Sequence, residues 1–172
     1  SRIVNDYRVT AGDIWRNDEI EVLVGGKHHG RIVARGAGAQ IRGQHPTELV
    51  IDDLENREEA SSEGPREKMR AYFYQDLWGA LRHERGNRTR TKIVGTFVHP
   101  LGLLPELYEM DWWVARKYAV YNPDGTPLWP DYMDDAALQA LRREVKTESA
   151  WMAEYMNQPI VSENPTFLRE SF

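Results

Sequence analysis

The chain has 172 residues, enough for one ordinary domain with its own core. It carries 22 Lys and Arg against 27 Asp and Glu, a net charge of −5, which argues against a dedicated duplex-binding module but leaves room for a local basic patch. The absence of cysteine excludes disulfides, thiolate nucleophiles and Cys-ligated zinc. No apolar run approaches the ~20 residues of a membrane span, and the start has no signal-peptide pattern, so a cytoplasmic protein is expected.

In chain order, Ile20 to Val24 and Arg31 to Ala34 read as short strands around a Gly25-Gly26 turn. Gly36, Gly38 and Gly43 then punctuate a loop. Leu49-Val50-Ile51 is a continuous apolar run, the pattern of a strand buried on both faces of a parallel sheet. Residues 56–64 are polar and read as a loop. Pro65 opens a helix in its first turn, and Met69, Phe73, Leu77 and Leu81 recur every fourth residue along one face. Ile93 to Val98 reads as the next strand and Leu104 to Lys117 as the next helix. Tyr118 to Tyr121 reads as a short strand before the turn Asn122-Pro123-Asp124-Gly125. Asp134 or Asp135 caps a helix running to about Lys146, and Glu148 to Asn157 gives one more. Trp112, Trp113 and Trp151 read as core. This alternation predicts an α/β architecture in which the strands at 48–52 and 93–98 form a right-handed crossover unit.

Ligands on such sheets bind at the carboxyl ends of the strands. Asp52-Asp53 and Gly95-Thr96 fall at those two ends. Phosphoryl transfer needs Mg²⁺ held near the β- and γ-phosphates and a group that orients the attacking water. Two acids on a rigid strand end meet both needs, the first for the metal and the second for the water. The plainer reading is a turn or helix cap made of two solvated acids. A phosphate cradle G-x-x-x-x-G-K-[ST] is missing. Gly25-Gly26-Lys27 has His28 at the hydroxyl position and Glu21 where the first Gly belongs, and Gly36-Ala37-Gly38 has Ile41 in place of a third Gly. Both clusters read as turns. A nucleotide enzyme with this sequence would have its cradle upstream of Ser1.

Taken together, several stretches resemble the ATPase domain of the large terminase subunit of tailed bacteriophages. Ala34 to Gly38 with Ile41-Arg42-Gly43 is similar to its glycine-rich segment, and ELVIDDLE (Glu48 to Glu55) to its Walker B strand. KIVGTFVH (Lys92 to His99) resembles its coupling motif. Leu128-Trp129-Pro130 and WMAEYMNQP (Trp151 to Pro159) resemble the closing part of the domain. The resemblance implies a partial RecA-like ASCE P-loop NTPase sheet with flanking helices, lacking its Walker A portion. Residues 1–160 would be the later part of the ATPase domain and 161–172 the start of a linker toward an absent nuclease domain.

The implied function is part of an ATP-hydrolysing motor that drives double-stranded DNA into a procapsid in the host cytoplasm. The motor would act as a homo-oligomeric ring on the portal protein, with the small terminase subunit as a further partner and no membrane. ATP and Mg²⁺ would serve the full-length protein and bind this fragment weakly. By position, Asp52 would hold Mg²⁺ and Asp53 would be the catalytic carboxylate. Gly95 and Thr96 would couple γ-phosphate loss to movement. Arg42 would reach a neighbouring subunit's site, or else bond to loop carbonyls. Many relatives carry Glu at the Asp53 position, which leaves Glu55 as a rival base. His99 reads as structural. Arg85, Arg88, Arg90 and Lys92 form a basic loop, available to DNA phosphates or simply solvated. A catalytically silent interaction module and a metal-dependent nuclease built on Asp52, Asp53 and Glu55 are the other readings.

Overall fold

The computed structural model describes residues 6–41, 43–81 and 89–160. The chain divides into two compact units, Ser1–Gln40 and Ile41–Phe172. The first unit is an antiparallel meander of β1 (Val9–Trp15), β2 (Glu19–Val24) and β3 (Lys27–Val33). Val24 pairs with Lys27 across a two-residue loop, and both of its members, Gly25 and Gly26, have positive φ, +59° and +76°. A tight hairpin turn of this kind requires that backbone, and glycine supplies it without steric cost. Gly25-Gly26-Lys27 is therefore a hairpin turn, as expected.

β1 escapes the hydrophobic pattern because Gly12 and Asp13 interrupt it, at a register shift between Ala11 and Trp15. Glu21 fills the space over Gly12, where its carboxylate accepts the Asp13 N–H at 2.9 Å.

The second unit is built on β4 (Glu48–Asp52) and β5 (Arg90–Val94), which pair in parallel, Glu48 opposite Arg90 and Asp52 opposite Val94. The protein is thus a mixed α/β structure with a small antiparallel sheet and a two-stranded parallel sheet. β5 starts three residues earlier than its apolar run. There Lys92 Nζ meets Glu48 Oε1 at 2.7 Å across the ladder, an exposed pair that adds modestly to the strand pairing. The two faces of the sheet differ in burial. Ile51 is buried, whereas Val50 and Val94 are 63% and 62% exposed. A continuous apolar run is blind to this difference.

Between the strands, the expected polar loop contains α1 (Arg57–Ala60), whose Asn56 cap accepts the Glu59 N–H at 2.9 Å. α2 (Glu63–Ala71) then continues through a π-helical stretch, Tyr72–Leu77, into α3 (Trp78–Ala80). Strict spacing by four drifts around an α-helix by about 40° per step. The wider π turn takes back part of that drift, so Phe73 and Leu77 both reach the core with Ile51, Ala80, Leu103 and Leu107. Met69 packs at its margin and Leu81 is buried.

α4 (Leu103–Tyr108) is far shorter than the expected helix to Lys117. Trp112 and Val114 are 57% and 93% exposed, whereas Met110 and Trp113 still pack against the core from the irregular segment that follows the helix. Trp112 accordingly is not core. It stacks on Trp113, with centroids 5.3 Å apart. Arg70 and Tyr74 hold α4 in place: Arg70 Nε and the Tyr74 hydroxyl donate to Glu106, at 2.6 and 2.9 Å. Burial first, and then that hydrogen bond, pushes the Tyr74 pKa up to about 12.

The expected strand at Tyr118–Tyr121 reduces to one bridge, Tyr121 to Pro127. The turn between them forms as anticipated, with Gly125 at φ +81°. α5 (Asp135–Glu144) begins at Asp134, whose side chain accepts the Ala137 N–H. α6 (Glu148–Glu154) is capped by Thr147 and buries Trp151. Among the described residues no helix is long and apolar enough to cross a membrane.

Candidate functional site at the ends of the parallel strands

Asp52 is the last residue of β4 and shares its exposed face with Glu48 and Val50. Asp53 leaves the strand. Its N–H donates to the Val94 carbonyl at 3.0 Å, the final rung of the ladder, and its φ is +45°. That left-handed backbone is uncommon for non-glycine residues, and Asp is among those that adopt it best. The reversal takes Asp53 off the β4 pleat, and its side chain is exposed. Gly95 follows β5 beside it: a Cβ on Gly95 would lie 3.6 Å from Asp53 Oδ1 and 2.8 Å from Leu104 Cδ1. The 2.8 Å contact is with the flexible end of the Leu104 side chain and the 3.6 Å one is ordinary van der Waals contact, so Gly95 marks a close approach of the two strand ends that a Cβ would disturb only by shifting Leu104. The sheet thus brings Asp52, Asp53 and Gly95 together, with Thr96 next in the chain.

Glu55 has a different environment. It is buried, and its carboxylate accepts the Leu103 N–H at 2.8 Å and the Leu104 N–H at 3.0 Å. These are the first N–H groups of α4, which have no partner within the helix. Glu55 therefore caps α4 from 48 residues away. Gly102 is the close neighbour that allows it. An added Cβ would sit 3.0 and 3.1 Å from the two Glu55 oxygens and 3.1 Å from the His99 carbonyl. Gly102→Ala is expected to destabilise the unit by about 1–3 kcal/mol through this overpacking. A denaturant titration reads the loss as a lower midpoint at unchanged slope.

His99 closes the turn before α4. Its Nδ1 accepts the Leu101 N–H at 3.1 Å, and Gly102 N–H donates to its carbonyl at 3.0 Å. Burial, and then the Arg66 guanidinium, hold its pKa below the ordinary imidazole value, against the opposing pull of Glu55. The structural reading of His99 accords with this. The unfolded chain takes up a proton near pH 6.5 while the folded chain resists it. The contribution is thus complete above that pH and is lost as pH falls through the lower folded value. Thermal melts between pH 7.5 and 5 should show Tm falling on the acid side. His99→Asn, which keeps an acceptor and removes the titration, should flatten that part of the slope.

The remaining expected residues scatter. Arg42, Arg85 and Arg88 lie outside the described residues. Arg90 and Lys92 stand on the exposed face of β5, in a strand and not in a loop, and Lys92 is engaged by Glu48. That hydrogen bond, then the Lys92 charge, lowers the Glu48 pKa.

Glu154 and Asn157, in the WMAEYMNQP stretch, have no role legible in the sequence beyond domain packing; Glu154 pairs with Arg57. Asn157 Oδ1 accepts the Phe97 N–H at 2.8 Å, one residue beyond Thr96. The partners lie 60 positions apart, so no local pattern announces the bond.

Among the described residues no group of three or more His, Asp or Glu side chains is placed to hold a metal ion by itself. Two exposed acids suit a different case, in which Mg²⁺ takes one or two carboxylates and completes its shell with water and substrate phosphates. No protein-family model, curated protein or solved structure matches this chain.

Proposed function

We propose that this chain is part of the ATP-hydrolysing motor of a phage terminase large subunit, on a RecA-like sheet, translocating double-stranded DNA into a procapsid. The observation that carries the reading is the junction at the sheet's carboxyl end. Two exposed acids close β4, and the Gly95-Thr96 segment passes directly beside the second of them. The resemblance of the ordered motifs supplies the chemistry for that junction.

In this reading Asp52 holds Mg²⁺ and Asp53 orients the attacking water and takes its proton. When bound, Mg²⁺ would neutralise charge developing on the β- and γ-phosphates of ATP. Glu55 is a poorer base than Asp53, since both of its oxygens are occupied by helix N–H groups. Thr96 relays loss of the γ-phosphate to movement of its segment. Arg42 serves a neighbouring subunit of a homo-oligomeric ring on the portal, an arrangement that suits an always-charged fork. Arg85, Arg88 and Arg90 meet DNA phosphates. Lys92 does so only after release from Glu48. The small terminase subunit is the further partner, and the host cytoplasm the place of action.

The test is ATP turnover by the intact protein, measured with and without double-stranded DNA and portal. The expected result is Mg²⁺-dependent hydrolysis that Asp52→Ala abolishes. Turnover indifferent to Asp52→Ala would remove the metal role, and DNA cleavage in Mn²⁺ without nucleotide, lost in the same variant, would favour a nuclease.

A further inference from the structure

We propose that Asn157 is a positioning residue for this site: its side-chain oxygen fixes the segment carrying Gly95 and Thr96 beside Asp53. The inference rests on the ATPase reading above. β5 gives up its last ladder bond at Val94, whose carbonyl accepts the Asp53 N–H. The next backbone anchor along the chain is the Phe97 N–H, held by Asn157 Oδ1 at 2.8 Å. Gly95 and Thr96 are therefore bracketed between two fixed points. One belongs to the strand that ends in Asp53. The other belongs to the end of α6.

The chemistry of position 157 fits this use. Asn157 has φ +53°, a left-handed backbone that asparagine tolerates better than most residues. It terminates α6 after Tyr155, whose carbonyl accepts the Val120 N–H at 2.9 Å, so the helix end is itself tied down. The position thus makes two separable demands, a left-handed backbone and an acceptor aimed at Phe97. Glycine meets only the first. Aspartate meets both. The Phe97 ring lies edge-on to Tyr108, with centroids 5.6 Å apart, which sets the side chain while Asn157 sets the backbone. A displacement of α6 would reach Thr96 through a single hydrogen bond.

The experiment compares Asn157→Gly with Asn157→Asp in the intact protein, by amide exchange over residues 95–97 and by ATP kinetics. In Asn157→Gly, exchange at Phe97 is expected to rise roughly tenfold, the scale of one neutral hydrogen bond. Its kcat should fall roughly 10- to 100-fold, the scale of a misplaced reacting group, with KM little changed. Asn157→Asp should restore both. Unaltered exchange, or normal kcat in Asn157→Gly while the wild type turns over ATP, would overturn the clamp alone. No ATP turnover in the wild-type protein would overturn the motor reading and this role with it.

Discussion

Asp53→Asn should lower ATP turnover of the intact protein by roughly 10²–10⁴-fold while leaving its melting temperature nearly unchanged. The side chain is exposed at a strand end, so no buried packing is lost. Asparagine also accepts the left-handed backbone at φ +53° in this same protein, so the +45° of position 53 is within its reach. On the proposed motor reading, what disappears is the ability to take a proton from water. Asp53→Gly sharpens the contrast. It relieves the left-handed backbone, a gain that glycine's extra unfolded-chain entropy of about 0.5–1 kcal/mol largely offsets, so stability should change little while activity is lost equally. Loss of activity without loss of stability is not what a structural turn would show. Normal hydrolysis by Asp53→Asn would end the assignment of the base to this residue.

Glu55→Ala should do the reverse. Its carboxylate receives two N–H groups at the start of α4, in a buried setting. Removing it leaves both donors without an acceptor and opens a gap beside Gly102. Hydrogen bonds to charged groups contribute about 1.5–3 kcal/mol each, and they are not additive, so a total near 3 kcal/mol is expected. For a unit of this size that is a fall of roughly 10 °C in Tm. Glu55→Gln keeps an acceptor and should lose about half as much. If Asp53 is the base, turnover per folded molecule survives in Glu55→Gln when measured well below its Tm. A stable Glu55→Gln protein without hydrolysis would return the base role to Glu55.

The two acids were not equally legible. Asp52 and Asp53 are marked by Leu49-Val50-Ile51 before them, and the helix between the strands by its stripe of apolar residues. Those signals are local, and a parallel strand pair with helices between its members is present, its second strand at Arg90–Val94 and not at 93–98. The Gly25-Gly26 turn and the Asp134 cap are local as well. Glu55, two residues beyond Asp53, is chemically identical to a catalytic acid on paper. Its partners, Leu103 and Leu104, come from a distant part of the chain, and only the fold brings them to it. Asn157 was opaque for the same reason. The exposure of Val50 and Val94 was opaque for another: hydrophobicity records what a residue tolerates, not whether a neighbour arrives to cover it. Arg42, Arg85 and Arg88 fall outside the described residues, so the role expected of Arg42 rests on the resemblance and that of Arg85 and Arg88 on the local run of basic charge.

The parallel register of β4 and β5 also sets an order of events in time. Glu48 and Arg90 must find each other across roughly forty residues of intervening chain, and such distant pairings form slowly. The helical stripe between them assembles from near neighbours and can precede the sheet. The Asp53–Val94 rung, at the far end of a ladder with two strands among the described residues, is expected to close late in folding and to part early under stress. Heat or denaturant should therefore open the Asp53–Val94 junction before the helices around Phe73 lose their signal, so amide exchange at Asp53 and helicity should report different midpoints.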